Sequence, residues 1–194
     1  MVDMLVAAGA DVSAKNDYGS TPLTNACSNA EVCRALLSHG ADATVTENSG
    51  YTALHRAENK TVVDMLVAVG ADVKAKDSHG RTALMKACSN VEAVRALVRL
   101  GADATPADCC GYTALFYAKY KVVVDMLLAA GADVDAKAED GITSLMNACW
   151  SNGDGNSDIE AARALLGNGA SVNIQDDDGK TVLNAICSEY CDCV

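Results

Sequence analysis

The residues in this 194-residue sequence whose types invite chemistry are nine cysteines, three histidines and one run of alternating oxygens. Cys27, Cys33, Cys88, Cys109, Cys110, Cys149, Cys187, Cys191 and Cys193 offer sulfur for nucleophilic attack, disulfide formation or soft-metal ligation. The adjacent pair Cys109-Cys110 and the "CDC" at 191–193 lack the two-to-four-residue ligand spacing of zinc sites. His39, His55 and His79 share no spacing with a cysteine or carboxylate that suggests a catalytic triad. The segment "WSNGDGNSD", 150–158, sets Asn152, Asp154, Asn156 and Asp158 at alternate positions, like the oxygens of a calcium loop. An EF-hand loop begun at Asn152 requires Gly at 157 and Glu at 163, and the chain has Ser157 and Arg163. A solvated loop is expected there, with Trp150 at its base as a candidate exposed anchor. With no Gly-rich phosphate loop after a strand and no H-E-x-x-H pattern, no catalytic residue, metal site or cofactor is expected.

What must position these residues is a repeat. "VDMLVAAGADVSAK" at 2–15 returns as "VDMLVAVGADVKAK" at 63–76 and "VDMLLAAGADVDAK" at 124–137, a spacing of 61. A half-period copy appears when Gly9, Gly40, Gly70, Gly101, Gly131 and Gly169 are aligned: five "GAD" and one "GAS", at steps of 31, 30, 31, 30 and 38. Gly19, Gly50, Gly80, Gly111, Gly141 and Gly179 keep the same beat, each two residues before a Thr. Two markers in phase define a structural unit.

In each unit a short apolar segment such as "TALMKAC" is followed by a Ser/Asn break. A segment such as "VEAVRALVRLG" comes next, in which Val91, Val94, Ala96, Leu97 and Val98 make one helical face. The pattern predicts two short antiparallel helices, the first opened by the Thr as N-cap and the second closed by the Gly of "GAD". The ten or so residues up to the next Thr hold turn formers and predict an extended finger. Helices this short are marginal alone, so neighbouring pairs must stack into a solenoid.

Composition agrees. Half the residues are hydrophobic but only 4% are aromatic, which suits thin helical layers filled by Ala, Leu, Val, Met and Cys. A net charge of -11 opposes nucleic-acid binding. No apolar run approaches the roughly 18 residues of a membrane span, and the N-terminus has no secretory signal, so a cytoplasmic or nuclear protein is expected.

The units resemble ankyrin repeats, whose hallmark D-x-x-G-x-T-P-L-H-x-A is matched by "NDYGSTPLTNA" at 16–26 and "ENSGYTALHRA" at 47–57. The resemblance covers essentially the whole chain. It implies an all-α fold, an ankyrin-repeat solenoid of stacked helix-turn-helix units with β-hairpin finger loops, as a single domain over 1–194. The expected organisation is a half unit at 1–9, five full helix pairs within 10–169, a half unit at 170–194 and a loop insertion at 150–158. The half units at both ends favour a fragment of a longer protein. The units are two or three residues shorter than the family's usual repeat, between the helices, which predicts a tighter interhelical turn. Only Thr21-Pro22 keeps the family's Pro and only His55 its His, which is expected to be a satisfied structural residue.

In this frame Cys27, Cys88, Cys149 and Cys187 fall six residues after the Thr, where the family has a small buried Ala, and Cys33 aligns with Val63 and Val94. All five are expected in the core. Equivalent cysteines in alternate units stand about 16–20 Å apart, beyond the roughly 7 Å between Cα atoms that a disulfide spans. Free buried thiols fit a reducing compartment. Cys109 and Cys110 match Asn48 and Ser49 at a finger tip, and with Cys191 and Cys193 they are expected as surface thiols.

Function is expected where the framework varies. The family's finger and first-helix positions map onto Tyr18, Tyr51, Arg56, His79, Arg81, Lys86, Tyr112, Tyr117, Ile142 and Asn147, a candidate partner-binding set on the concave face. Tyr and Arg dominate interfaces because each joins large contact area to a polar handle. Arg56, Arg81 and Lys86 form a basic group suited to a carboxylate-bearing segment, whereas Asp176, Asp177 and Asp178 make the last finger acidic. The expected function is a non-catalytic scaffold or adaptor, monomeric, holding a protein or peptide and neither nucleic acid nor membrane. The alternative is an architectural spacer within a longer array. In the family an Asn after "V" in this segment can be hydroxylated, and "GASVN" offers Asn173.

Overall fold

The computed structural model describes residues 1–150 and 157–191, with side chains of 157, 158, 185 and 188–191 left aside. Packing divides the chain into two compact units, Met1–Ala102 and Asp103–Val194. The first contains α1 (Val2–Ala7), α2 (Pro22–Asn25), α3 (Ala30–Ser38), a 3-10 helix (Ala53–Arg56), α4 (Lys60–Ala68), α5 (Ala83–Ala87) and α6 (Val91–Arg99). The second contains a 3-10 helix (Ala114–Tyr117), α7 (Lys121–Ala129), α8 (Ser144–Trp150), α9 (Ser157–Gly167) and α10 (Val182–Cys191). Within each unit first helices pack on first helices and second on second: α2 on 53–56 on α5, α1 on α3 on α4 on α6, 114–117 on α8 on α10, and α7 on α9.

The core lies between these two layers. Leu23, Leu54 and Leu84 come from first helices and Val62, Val63, Leu66, Val94 and Leu97 from second helices, all fully buried. The Thr caps hold ahead of α-helices, where the hydroxyl of Thr21 accepts from Thr24 N at 3.3 Å and that of Thr82 from Met85 N at 3.4 Å, but Thr52 and Thr113, ahead of the 3-10 helices, accept no such cap bond. Asparagine closes the next gap, since Asn29, Asn59 and Asn90 each accept from backbone N–H groups in the first turn of the second helix. Each second helix then ends in a glycine at positive φ, +82° at Gly40, a region where any other residue is strained.

From α2 to α8 the first helices alternate in type, and chain length explains it; α10, which follows α8, is again an α-helix. Nine residues separate Thr21 from Ala30 and Thr82 from Val91, but eight separate Thr52 from Lys60 and Thr113 from Lys121. With one residue fewer to cover the same height, the segment adopts the 3-10 helix, which rises about 2.0 Å per residue against 1.5 Å in an α-helix. The 31/30 alternation of the sequence is thus an α/3-10 alternation.

Two expectations about the core need correction. Cys27, Cys33 and Cys88 are buried, but Cys149 is half-buried and Cys187 exposed. Cys27 and Cys88 sit where the chain folds back between helices, their thiols donating to Leu23 O at 3.1 Å and Leu84 O at 3.2 Å. Helix α8 runs on to Trp150, so Cys149 stays within a helix, whereas Cys27 and Cys88 follow the last turn of theirs. Cys187 lies on α10, whose packing among the described residues is on α8 alone. The alternating oxygens Asn152, Asp154 and Asn156 and the tail residue Cys193 lie outside the described residues, as do the side chains of Asp158 and Cys191.

The fingers are hairpin-like. Isolated antiparallel bridges join Lys76 to Thr82, Ala107 to Thr113 and Lys137 to Thr143. Within each unit successive fingers are tied by one backbone hydrogen bond, such as Ser78 N to Ser49 O at 2.9 Å and Glu139 N to Cys110 O at 3.0 Å.

Candidate interaction surface

The finger turns that begin at Asp77 and Asp108 are organised by that residue's carboxylate. Asp77 Oδ1 accepts from His79 N at 2.8 Å and Arg81 N at 2.9 Å, and Asp108 Oδ1 accepts from Cys110 N at 2.9 Å and Tyr112 N at 3.0 Å. The other carboxylate oxygen reaches outward. Asp77 Oδ2 accepts from Arg81 Nε at 2.8 Å and Asp108 Oδ2 from the Tyr117 hydroxyl at 2.7 Å. In the finger before Tyr51 the longer Glu47 binds Arg56 through both oxygens, at 3.0 and 2.9 Å.

Tyr51, Arg56, Arg81 and Lys86 are thereby brought together. The two guanidiniums and the Lys86 ammonium each stand 5.6 Å from the Tyr51 ring centroid, within the range at which a ring face attracts a cation. The carboxylates beneath are shielded while the cations are not: the Glu47 and Asp77 side chains are 4% and 0% exposed, those of Arg56 and Arg81 44% and 26%. Burial alone would raise Glu47, but hydrogen bonds from Arg56, Ser20 and Thr24 outweigh it and hold the carboxyl below its usual range. Asp77 likewise overcomes burial through the Arg81 backbone, the Arg81 side chain and the His79 backbone. Both carboxylates stay charged at neutral pH and orient the guanidiniums.

Tyr112 and Tyr117 meet in the second unit, ring centroids 6.5 Å apart and edge-on, with Phe116 4.8 Å from Tyr112. Asn147 donates its amide to Phe116 O at 3.0 Å. Tyr18, at 75% exposure, and the exposed His79 lie at finger tips, and Ile142 is half-buried.

His55 is the satisfied residue expected. Its Nδ1 accepts from Thr52 N at 3.2 Å, which assigns the ring proton to Nε2, and Nε2 donates to Arg81 O at 3.0 Å. Burial pushes its pKa below 6.5, against the pull of the Arg81 carbonyl and Asp77. In the matching position Phe116 cannot accept, and the buried Thr113 hydroxyl has no hydrogen-bond partner among the described residues. A depressed histidine stabilises the fold fully above its unfolded value near 6.5, and that contribution is lost as pH falls through the lower folded value. Thermal midpoints should therefore drop between pH 7 and pH 5, and His55→Gln should flatten that slope. An unchanged slope in the variant would remove His55 as its source.

Of the buried thiols Cys27 and Cys88 are poor nucleophiles, whereas the hydrogen bond with Cys27 lowers Cys33. Burial pushes Cys88 up to about 12, and Cys27 is raised by its neighbour Cys33 and by burial.

Sequence reasoning missed the anchoring carboxylates Glu47, Asp77 and Asp108. A signal was present: the finger's first residue and the variable first-helix residue stand nine apart, giving Glu47/Arg56, Asp77/Lys86 and Asp108/Tyr117. Where that first residue is Ala138, Asn147 binds the neighbouring Phe116 carbonyl instead.

The chain matches the family described as "Ankyrin repeats (3 copies)" over residues 1–77 and 58–138, and that described as "Ankyrin repeat" over 140–177. It belongs to the ankyrin-repeat family. The ankyrin-repeat domain of Bcl-3, described as a unique member of the IkappaB protein family, has a similar structure, with a TM-score of 0.71 and 27% identity. That match covers 95% of this chain and 85% of the Bcl-3 domain. The Transient receptor potential cation channel subfamily A member 1 homolog of Caenorhabditis elegans is 36% identical over 87 residues, 42% of this chain. The chain thus spans only 7% of that protein's length. Ankyrin repeats are generally protein-interaction modules and are typically non-catalytic. No helix among the described residues is long and apolar enough to cross a membrane.

Proposed function

We propose that the chain is a non-catalytic adaptor whose first-helix and finger surface around Tyr51 takes an extended, carboxylate-bearing segment of a partner protein. The observation that carries this reading is the Tyr51 ring ringed by Arg56, Arg81 and Lys86, each at 5.6 Å, in a chain of net charge -11. The Glu47 and Asp77 carboxylates fix the guanidiniums before a partner arrives, which reduces the ordering cost of binding. Lys86 forms no ion pair within 4.0 Å among the described residues, so it supplies the mobile charge. Such charge sets the speed and register of encounter, with the tyrosine giving contact area. The rings of Tyr112 and Tyr117 offer aromatic contact area of their own in the second unit. The chain acts as a monomer in a reducing compartment, cytosol or nucleus, where Cys27, Cys33 and Cys88 remain thiols.

Capture with the isolated chain, followed by affinity measurement on the recovered partner, tests this. Tyr51→Ala with Lys86→Glu should weaken binding about 30-fold, the equivalent of roughly 2 kcal/mol at an interface hot spot. The melting temperature should hold, and added salt should weaken the parent complex. Undiminished capture by the double variant would leave the spacer reading in its place.

A further inference from the structure

Cys109 and Cys110 occupy the two central positions of a finger turn. The same positions elsewhere hold Asn48-Ser49, Ser78-His79, Glu139-Asp140 and Asp177-Asp178, all exposed. Neither thiol closes the turn, because Asp108 does so from its backbone and Oδ1: Asp108 N donates to Tyr112 O at 3.0 Å and Gly111 N to Asp108 O at 3.1 Å. Asp108 is itself held by the Tyr117 hydroxyl, and Cys110 O by Glu139 N. Both thiols are exposed, and their sulfurs lie 3.8 Å apart. Two soft donors are thus set side by side on a braced turn.

The geometry selects among thiol chemistries. Adjacent Cα atoms across a trans peptide are about 3.8 Å apart, below the roughly 4.4 Å lower bound of an unstrained disulfide. Closing the pair by oxidation would strain it and leave it easily reduced. No group of three or more His, Cys, Asp or Glu among the described residues could hold a metal ion, so the pair has no further donors for a tetrahedral ion. A ligand needing only two sulfurs fits without contraction.

We propose that Cys109 and Cys110 form a bidentate dithiol site for a thiophilic trivalent metalloid, an organoarsenous species carrying two exchangeable hydroxyls on one arsenic. Two As–S bonds form and two As–O bonds break. The two thiol protons leave on the departing oxygens as two waters, so no oxidant is consumed. The hydrogen bond with Cys109, together with the nearby Asp108 and Glu139 charges, keeps Cys110 protonated above the ordinary thiol range. That disfavours thiolate-driven exchange, and ligand hydroxyls that leave as water need no prior deprotonation.

Phenylarsine oxide added to the full chain in excess glutathione, read by intact mass and peptide mapping, tests the site. Cys191→Ser with Cys193→Ser provides the background that removes the tail thiols. One adduct per chain should form on the peptide containing both Cys109 and Cys110, survive the monothiol and be stripped by ethanedithiol. Cys109→Ser and Cys110→Ser should each weaken it about 10²–10⁴-fold, the loss expected when the second of two linked bonds is removed. Melting curves would confirm that each variant is folded. An adduct of unchanged affinity in either single variant, or one mapping to Cys27 and Cys33, overturns the proposal, as does displacement by glutathione.

Discussion

Leu66→Ala lowers the unfolding free energy by about 3–5 kcal/mol, while Leu5→Ala, the same change in the same hexapeptide, costs under about 1 kcal/mol. "VDMLVA" occurs at 2–7 as α1 and at 63–68 within α4. Leu66 is fully buried, on a helix flanked by α3 and α6, whereas Leu5 is 55% exposed on a helix that packs on α3 alone among the described residues. The first substitution removes buried methyl groups and leaves a cavity, and the second does neither. Because neighbours shelter each other, the loss at Leu66 is a large share of a typical total of roughly 5–15 kcal/mol. Urea unfolding of both variants checks this. Equal midpoints would mean that stacking adds nothing to the helix itself.

Gly50→Ala destabilises by about 3 kcal/mol and Gly40→Ala by about 1 kcal/mol, although the two glycines have nearly the same backbone. Their φ values are +75° and +82°, so both substitutions meet the left-handed penalty of roughly 1–2 kcal/mol. A Cβ at Gly40 meets nothing within 4 Å, but one at Gly50 stands 2.8 Å from Ser78 N and 3.1 Å from Asp77 Cα. Those are backbone atoms of the next finger and cannot step aside as a side chain would. The clash also pulls at the Ser78 N to Ser49 O hydrogen bond and at the turn through which Asp77 orients Arg81. Thermal melts of both variants decide it, and equal losses would show that finger contact is dispensable. Gly50→Ala should also weaken any partner that docks at Tyr51.

The identical hexapeptides show what local sequence carries and what it does not. Helix starts and stops were legible because caps and positive-φ glycines act within a few residues, at Thr21 and Thr82 and at Gly40. The buried faces of the repeat were legible because their period is local. Burial of a given copy was not, since Leu5 and Leu66 differ only in what lies beside them. Cys187 misled for the same reason: it holds the register of Cys88 without the cover. The candidate surface was legible as positions that vary while their frame does not, and the grouping of Tyr51, Arg56, Arg81 and Lys86 follows from the stacking of successive units. Its supports were not, because nothing local to Glu47 or Asp77 names the guanidinium that each carboxylate holds. Glu47 acquires Arg56 only when the finger folds over the following helix, and Asp77 acquires Arg81 only when the finger turn closes.

The alternation of α and 3-10 first helices endows the array with parity. Removing residues 22–82 would join Thr21 to Ala83 and set one α-type copy where another had been, so neighbours on both sides would meet the surface they met before. Excising the 53–56 copy alone would set α2 on α5, an α-type pairing that among the described first helices occurs only where α8 meets α10. Lengthening and shortening without a seam are therefore quantised in pairs. Within Met1–Ala102, a ligand that follows the fingers would encounter matching geometry at every second copy and not at each one.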